Sequence, residues 1–86
     1  MSKVVVYSTD YCPYCRAAKE LLTRKKIVFK EVRVDTDLKA RALMEERSGR
    51  RTVPQIFIED KPIGGFDDLA ALDRSGKLDL LLNKEK

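Results

Sequence analysis

Histidine is absent from these 86 residues, and cysteine occurs only twice, at Cys12 and Cys15. A structural zinc site asks for four ligands drawn mainly from Cys and His. One cysteine pair without a histidine cannot supply them within the chain, so no metal is expected. A disulfide between residues three apart would close almost no loop and would staple little of the fold. The pair is therefore expected to be chemical rather than structural. Long apolar runs are missing too. The first one, from Val4 to Tyr7, stops at Ser8-Thr9-Asp10, short of a membrane span and of the apolar region of a secretory signal. A cytoplasmic chain with no membrane contact is expected. There is no internal repeat, linker or low-complexity tract, and the length suits one domain, residues 1–86, around a single core.

Charge is plentiful: 37% of residues are charged, with 18 basic against 14 acidic side chains and a net charge of +4. The signs are interleaved, as in Lys19-Glu20, Lys30-Glu31 and Glu45-Glu46-Arg47, which describes solvated faces. No aromatic-rich basic motif accompanies the excess, so nucleic acid is not an expected partner. Small anions are favoured modestly.

The β-branched run from Lys3 to Tyr7 predicts a short buried strand. After Pro13, Ala17, Ala18, Leu21 and Leu22 share a face, which predicts an amphipathic helix. Ile27 to Val34 reads as a second strand with one buried face, and Asp35 to Asp37 offer helix caps. A second helix is expected from Leu38 to Ser48, with Ala40, Leu43, Met44 and Arg47 on one side and Gly49 as a left-handed stop. Pro54 to Ile58 predicts a strand, Glu59 to Pro62 a turn, and the surroundings of Ile63 a very short strand. Phe66 to Arg74 resumes helical spacing, and Ser75-Gly76 separates a last leucine-rich helix. Residues 83–86 are expected to fray. The order β-α-β-α-β-β-α-α begins with a βαβ unit, making the first two strands parallel neighbours in a mixed four-stranded sheet. An α/β fold is expected.

Thiol–disulfide exchange needs a thiolate nucleophile, a second thiol close by and access for a partner's sulfur. Cys12-Pro13-Tyr14-Cys15 at a helix start offers all three. Unpaired N–H groups and the positive end of the helix dipole favour negative charge on Cys12. Pro13 suits the first helical position, where its missing N–H has no partner to lose. Cys15 falls one turn later and inward, as the natural resolving thiol.

With Thr52-Val53-Pro54 and Gly64-Gly65-Phe66-Asp67-Asp68, the dithiol completes three segments that resemble the signatures of dithiol glutaredoxins, over nearly the whole chain. The resemblance implies a thioredoxin-like fold and a glutathione-dependent oxidoreductase that reduces protein disulfides and protein–glutathione mixed disulfides. It implies Cys12 as nucleophile and glutathione as reductant, held by Tyr14, Arg41, Thr52, Val53, Pro54, Gly65, Phe66, Asp67 and Asp68. Within that set a cis Val53–Pro54 bond would expose the Val53 backbone to the ligand, and the start of the third helix would receive the γ-glutamyl carboxylate. Asp68 would hold the ammonium, although helix capping alone also accounts for either aspartate. Arg41 would meet the glycyl carboxylate. The implied partners are disulfide-bonded or glutathionylated proteins, ribonucleotide reductase among the candidates, and the implied state is a monomer. Arg41, Thr52 and Asp68 would serve no purpose in a redoxin coupled only to a thioredoxin reductase. Pro13 stiffens the loop against sharing an iron–sulfur cluster between two chains.

Two positions depart from the pattern. Many relatives carry lysine three residues before the first cysteine, where this chain has Thr9, so the helix amides are left to activate Cys12. Phe66 stands where cysteine is frequent and removes a possible regulatory thiol.

Overall fold

The computed structural model describes residues 3–82; the expected fraying of residues 83–86 lies outside them. In chain order the elements are β1 (Val4–Ser8), α1 (Pro13–Arg24), β2 (Lys30–Arg33), α2 (Leu38–Ser48), β3 (Gln55–Ile58), β4 (Lys61–Gly64), α3 (Phe66–Ser75) and α4 (Lys77–Leu82). This is the predicted order. The strands form one mixed sheet, β2-β1-β3-β4, with β1 parallel to β2 and antiparallel to β3, and β3 antiparallel to β4.

The two central strands, β1 and β3, are buried along their whole length. Because side chains alternate across a strand, they serve two cores. Val4, Val6, Ile56 and Ile58 meet Ala18, Leu21 and Leu22 of α1, Leu69 of α3 and Leu78 of α4. Val5, Tyr7 and Phe57 face the other way, onto Val34 and Met44. Each large side chain buried here stabilises the fold by roughly 1.5–3 kcal/mol. Lys25, capping the C-terminal end of α1, pairs with Asp73 of α3 at 2.8 Å and Asp79 of α4 at 3.1 Å, tying three helices together. No helix among the described residues is long and apolar enough to cross a membrane.

Three local expectations are corrected. The second strand spans only Lys30–Arg33, because the end of α1 consumes Ile27. Lys26 adopts a left-handed φ of 59°, its N–H bonds Thr23 O, and the Ile27 N–H reaches back to Leu22 O at 2.9 Å. That pair of bonds is a Schellman closure. Ile27 and Phe29 still pack on the first core, whereas Val28 is exposed. In α2 only Met44 is buried, and Leu43 faces outward. The turn before β4 is just Glu59-Asp60, with φ of 54° and 66°, the two positive values a type I′ hairpin turn requires. Pro62 therefore lies inside β4, which tolerates it as an edge strand. Gly49 ends α2 at φ 72°, as expected.

Candidate active site

β1 delivers the chain through Thr9, Asp10 and Tyr11 to Cys12, the N-cap of α1, whose φ of −95° and ψ of 115° are extended. Pro13 opens the helix. The Cys15 N–H donates to Cys12 Sγ at 3.3 Å, so sulfur occupies the place an N-cap oxygen ordinarily takes. Negative charge on that sulfur is met by a backbone donor and the helix dipole together. On its other side Cys12 Sγ donates to Val53 O at 3.7 Å. Cys12 is partly exposed, and Cys15 is fully buried. Burial, reinforced by the hydrogen bond with Cys12, pushes the Cys15 thiol up to about 11. The two thiols are thus unequal, in the sense the sequence suggests.

The approach to Cys12 is anchored by Arg33, which the sequence did not single out, and by Asp35, expected as a helix cap, a place that Asp37 takes. Arg33, at the end of β2, makes a two-pronged contact with Asp35, Nε to Oδ1 at 2.9 Å and Nη2 to Oδ2 at 2.6 Å. Asp35 in turn accepts the Asp10 N–H at 3.2 Å. The Arg33 hydrogen bonds hold the Asp35 carboxyl down at about 2, against an ordinary 3.8. A depressed carboxylate stabilises the fold above its unfolded pKa and loses that contribution as pH falls through the folded value. The stability advantage of the native chain over Asp35→Asn is therefore expected to be full at neutral pH and to shrink between about pH 4 and 2. Urea titrations of both proteins across that range check it, and a gap independent of pH would refute it.

The Val53–Pro54 peptide is cis. Gln55, fully buried at the start of β3, donates through Nε2 to Thr52 O at 3.0 Å and to Thr52 Oγ1 at 3.2 Å. It thereby fixes the segment that carries Val53. A lone amide beginning the otherwise apolar Gln55-Ile56-Phe57-Ile58 was the available signal for this role.

Opposite lies the start of α3. Gly64 has a φ of 119°, and a Cβ there would collide with the Asp68 carboxylate. Asp68 Oδ2 accepts the Gly65 N–H at 3.0 Å and Arg50 Nη1 at 3.2 Å. Tyr14 stacks on Phe66, their ring centroids 6.3 Å apart. Between these walls is an open cleft of about 270 Å³, lined by Tyr14, Thr52, Val53, Pro54, Gly65, Phe66, Asp67 and Asp68, and also by Arg50. The structure thus gathers eight of the nine residues named from the resemblance and adds Arg50. Arg41 is the exception. It does not line this cleft, and its guanidinium is held by Glu45 Oε2 at 3.2 Å and Arg51 O at 2.9 Å.

An unequal dithiol capping a helix on a sheet of this order defines the class, a thiol–disulfide oxidoreductase of thioredoxin-like fold. The glutaredoxin family model matches residues 4–63. A glutaredoxin of Pseudomonas aeruginosa is 49% identical over 83 residues, covering 96% of this chain and 99% of its own. Glutaredoxin 3 of Escherichia coli K12 is 51% identical over 82 residues, covering 95% and 99%. Among solved structures, a buckwheat glutaredoxin–glutathione complex superposes with a TM-score of 0.88 at 32% identity, covering 96% of this chain and 78% of that one. The solution structure of a Brucella melitensis glutaredoxin gives 0.84 at 50% identity, covering 98% and 91%. The chain belongs to the glutaredoxin family, whose members are glutathione-dependent oxidoreductases.

Proposed function

We propose that this chain reduces both protein–glutathione mixed disulfides and protein disulfides, with Cys12 as nucleophile and Cys15 as resolving thiol. The observation that carries the reading is the position of Cys12 Sγ, 3.3 Å from the Cys15 N–H and 3.7 Å from Val53 O on the cleft wall. On a mixed disulfide, the Cys12 thiolate attacks the glutathionyl sulfur and the protein thiolate leaves. A second glutathione then attacks the glutathionyl sulfur, releasing oxidised glutathione and the Cys12 thiolate. On a protein disulfide, Cys12 first becomes bonded to one substrate sulfur. Cys15 attacks Cys12 Sγ, the reduced protein departs, and two glutathiones reduce the Cys12–Cys15 disulfide.

The glutathionyl moiety would lie in the cleft, its cysteinyl backbone paired with Val53 like an added strand. Its γ-glutamyl carboxylate would meet the N–H groups at the start of α3, and its ammonium would meet Asp68. Since Asp68 already holds Arg50, the ligand's ammonium exchanges with that contact. Arg41 would meet the glycyl carboxylate by leaving Glu45 and the Arg51 carbonyl, which hold it in this structure. The same reading has the chain acting as a cytoplasmic monomer, with ribonucleotide reductase among its candidate substrates.

Cys15→Ser tests it. The variant is expected to keep deglutathionylation within about threefold of the native rate and to lose protein-disulfide reduction by about a hundredfold. Assays of both substrates with glutathione, glutathione reductase and NADPH measure this. Undiminished activity on protein disulfides would remove Cys15 from the mechanism.

A further inference from the structure

A second open groove, of about 540 Å³ against about 270 Å³ for the cleft described above, shares one wall with that cleft, Phe66. Tyr14, exposed and stacked on Phe66, lines the cleft side of the wall. The two cavities thus meet at one aromatic pair beside the dithiol. The rest of the groove is α1: Ala17 and Thr23, with Arg16, Lys19, Glu20 and Arg24. Lys19 is committed to Glu31 of β2, Nζ to Oε2 at 2.7 Å. Arg16 and Arg24 are exposed and have no ion pair among the described residues. Glu20 stands four residues from each, the spacing at which helical ion pairs form, yet it pairs with neither. Two cations, about one and three turns beyond Cys12, therefore lack a counter-charge.

We propose that this groove seats the protein substrate, as an extended segment flanking its glutathionylated cysteine and carrying carboxylates that pair with Arg16 and Arg24. The proposal deepens the reading above and rests on it. There, glutathione occupies one side of the Phe66 wall. The polypeptide whose thiolate leaves lies on the other side, with apolar contact from Phe66 and Ala17. Spacing decides which of its residues meet the cations. Helix rise places Arg16 about 6 Å and Arg24 about 18 Å along α1 from Cys12, and an extended chain advances about 3.3 Å per residue. Carboxylates about two and six residues from the modified cysteine match those distances, and an extended segment presents them on the same face as the cysteine. Glu20, between the two cations in sequence, repels a continuous polyanion. The groove therefore suits discrete carboxylates on a peptide rather than a phosphate backbone.

Two glutathionylated peptides test it, identical except that Asp in one and Lys in the other occupies the second and sixth positions on either side of the modified cysteine. With the native chain, KM for the Asp peptide is expected to lie about tenfold below that for the Lys peptide, at similar kcat. Arg16→Gln combined with Arg24→Gln should bring the two KM values within about twofold of each other. The same variant should reduce the mixed disulfide of glutathione with the amino acid cysteine within about twofold of the native rate, since that substrate has no flanking segment. Lys30→Gln combined with Lys61→Gln removes equal charge from exposed positions outside both cavities and should keep the preference. Equal KM values with the native chain would overturn the proposal. So would a preference that survives in the arginine variant, or one lost equally in the lysine variant, which would make net charge its cause. The small mixed disulfide separates the failures: a native chain that leaves it unreduced defeats the glutathione reading itself, whereas one that reduces it without distinguishing the peptides defeats the groove alone.

Discussion

Cys12→Ser is expected to abolish turnover of mixed disulfides and protein disulfides alike, by at least about a thousandfold, because the alcohol is not ionised at neutral pH and forms no exchangeable sulfur bond. The substitution isolates chemistry from folding unusually well. Cys12 is the N-cap of α1, accepting the Cys15 N–H through its side chain, and serine is among the preferred residues for that position. Stability should therefore hold to within about 1 kcal/mol, as read by urea denaturation. The coupled glutathione assay on both substrate classes measures the loss. A folded variant retaining even a tenth of native turnover would mean that Cys15, buried and pushed up to about 11, can serve as the first nucleophile. The contrast with Cys15→Ser, which should affect one substrate class and spare the other, makes the pair of variants diagnostic of the order in which the thiols act.

What the sequence made legible follows from how locally each feature is determined. The dithiol at a helix start is a short-range arrangement: Pro13 and the N-cap geometry of Cys12 depend on neighbours within one turn. The alternation in β1 and β3 likewise declares two buried faces without reference to the rest of the chain. The start of β2 was misplaced because Ile27 and Phe29 are apolar for a reason that periodicity does not distinguish. They cover the core from an extended segment rather than from a paired strand, and the left-handed Lys26 ahead of them carries no glycine to announce it. Asp35, Arg50 and Gln55 were missed as supports because each acts on a partner distant in sequence or through a backbone group, as Asp35 does on Asp10 and Arg50 on Asp68, and Arg33 because it acts through Asp35, two residues away. Arg41 shows the converse. Its expected contact came from resemblance, whereas Glu45, one helical turn away, and the Arg51 carbonyl compete for the same guanidinium.

The largest stability effect outside the apolar core is expected at Gly64, where two independent constraints meet. The residue closes β4 at φ 119°, a conformation that costs a residue with a Cβ roughly 1–3 kcal/mol. The added methyl would also overlap the Asp68 carboxylate, which must then leave the Gly65 N–H and expose the first turn of α3 to an unpaired donor. Gly64→Ala is therefore expected to lose about 2–4 kcal/mol in all, lowering Tm by about 10–20 °C for a chain of this size. Function should suffer beyond stability, because Asp68 and Gly65 line the cleft proposed for glutathione. At a temperature where the variant is folded, its KM for a glutathionylated substrate should rise about tenfold with a smaller change in kcat. The two constraints can be told apart with Asp68→Ala. If the overlap contributes, the double variant should be less destabilised than the sum of the single ones, since removing the carboxylate gives the methyl its space. Strict additivity would leave backbone conformation as the whole cause, and a native Tm for Gly64→Ala would show that the turn between β4 and α3 accommodates a side chain that its geometry forbids.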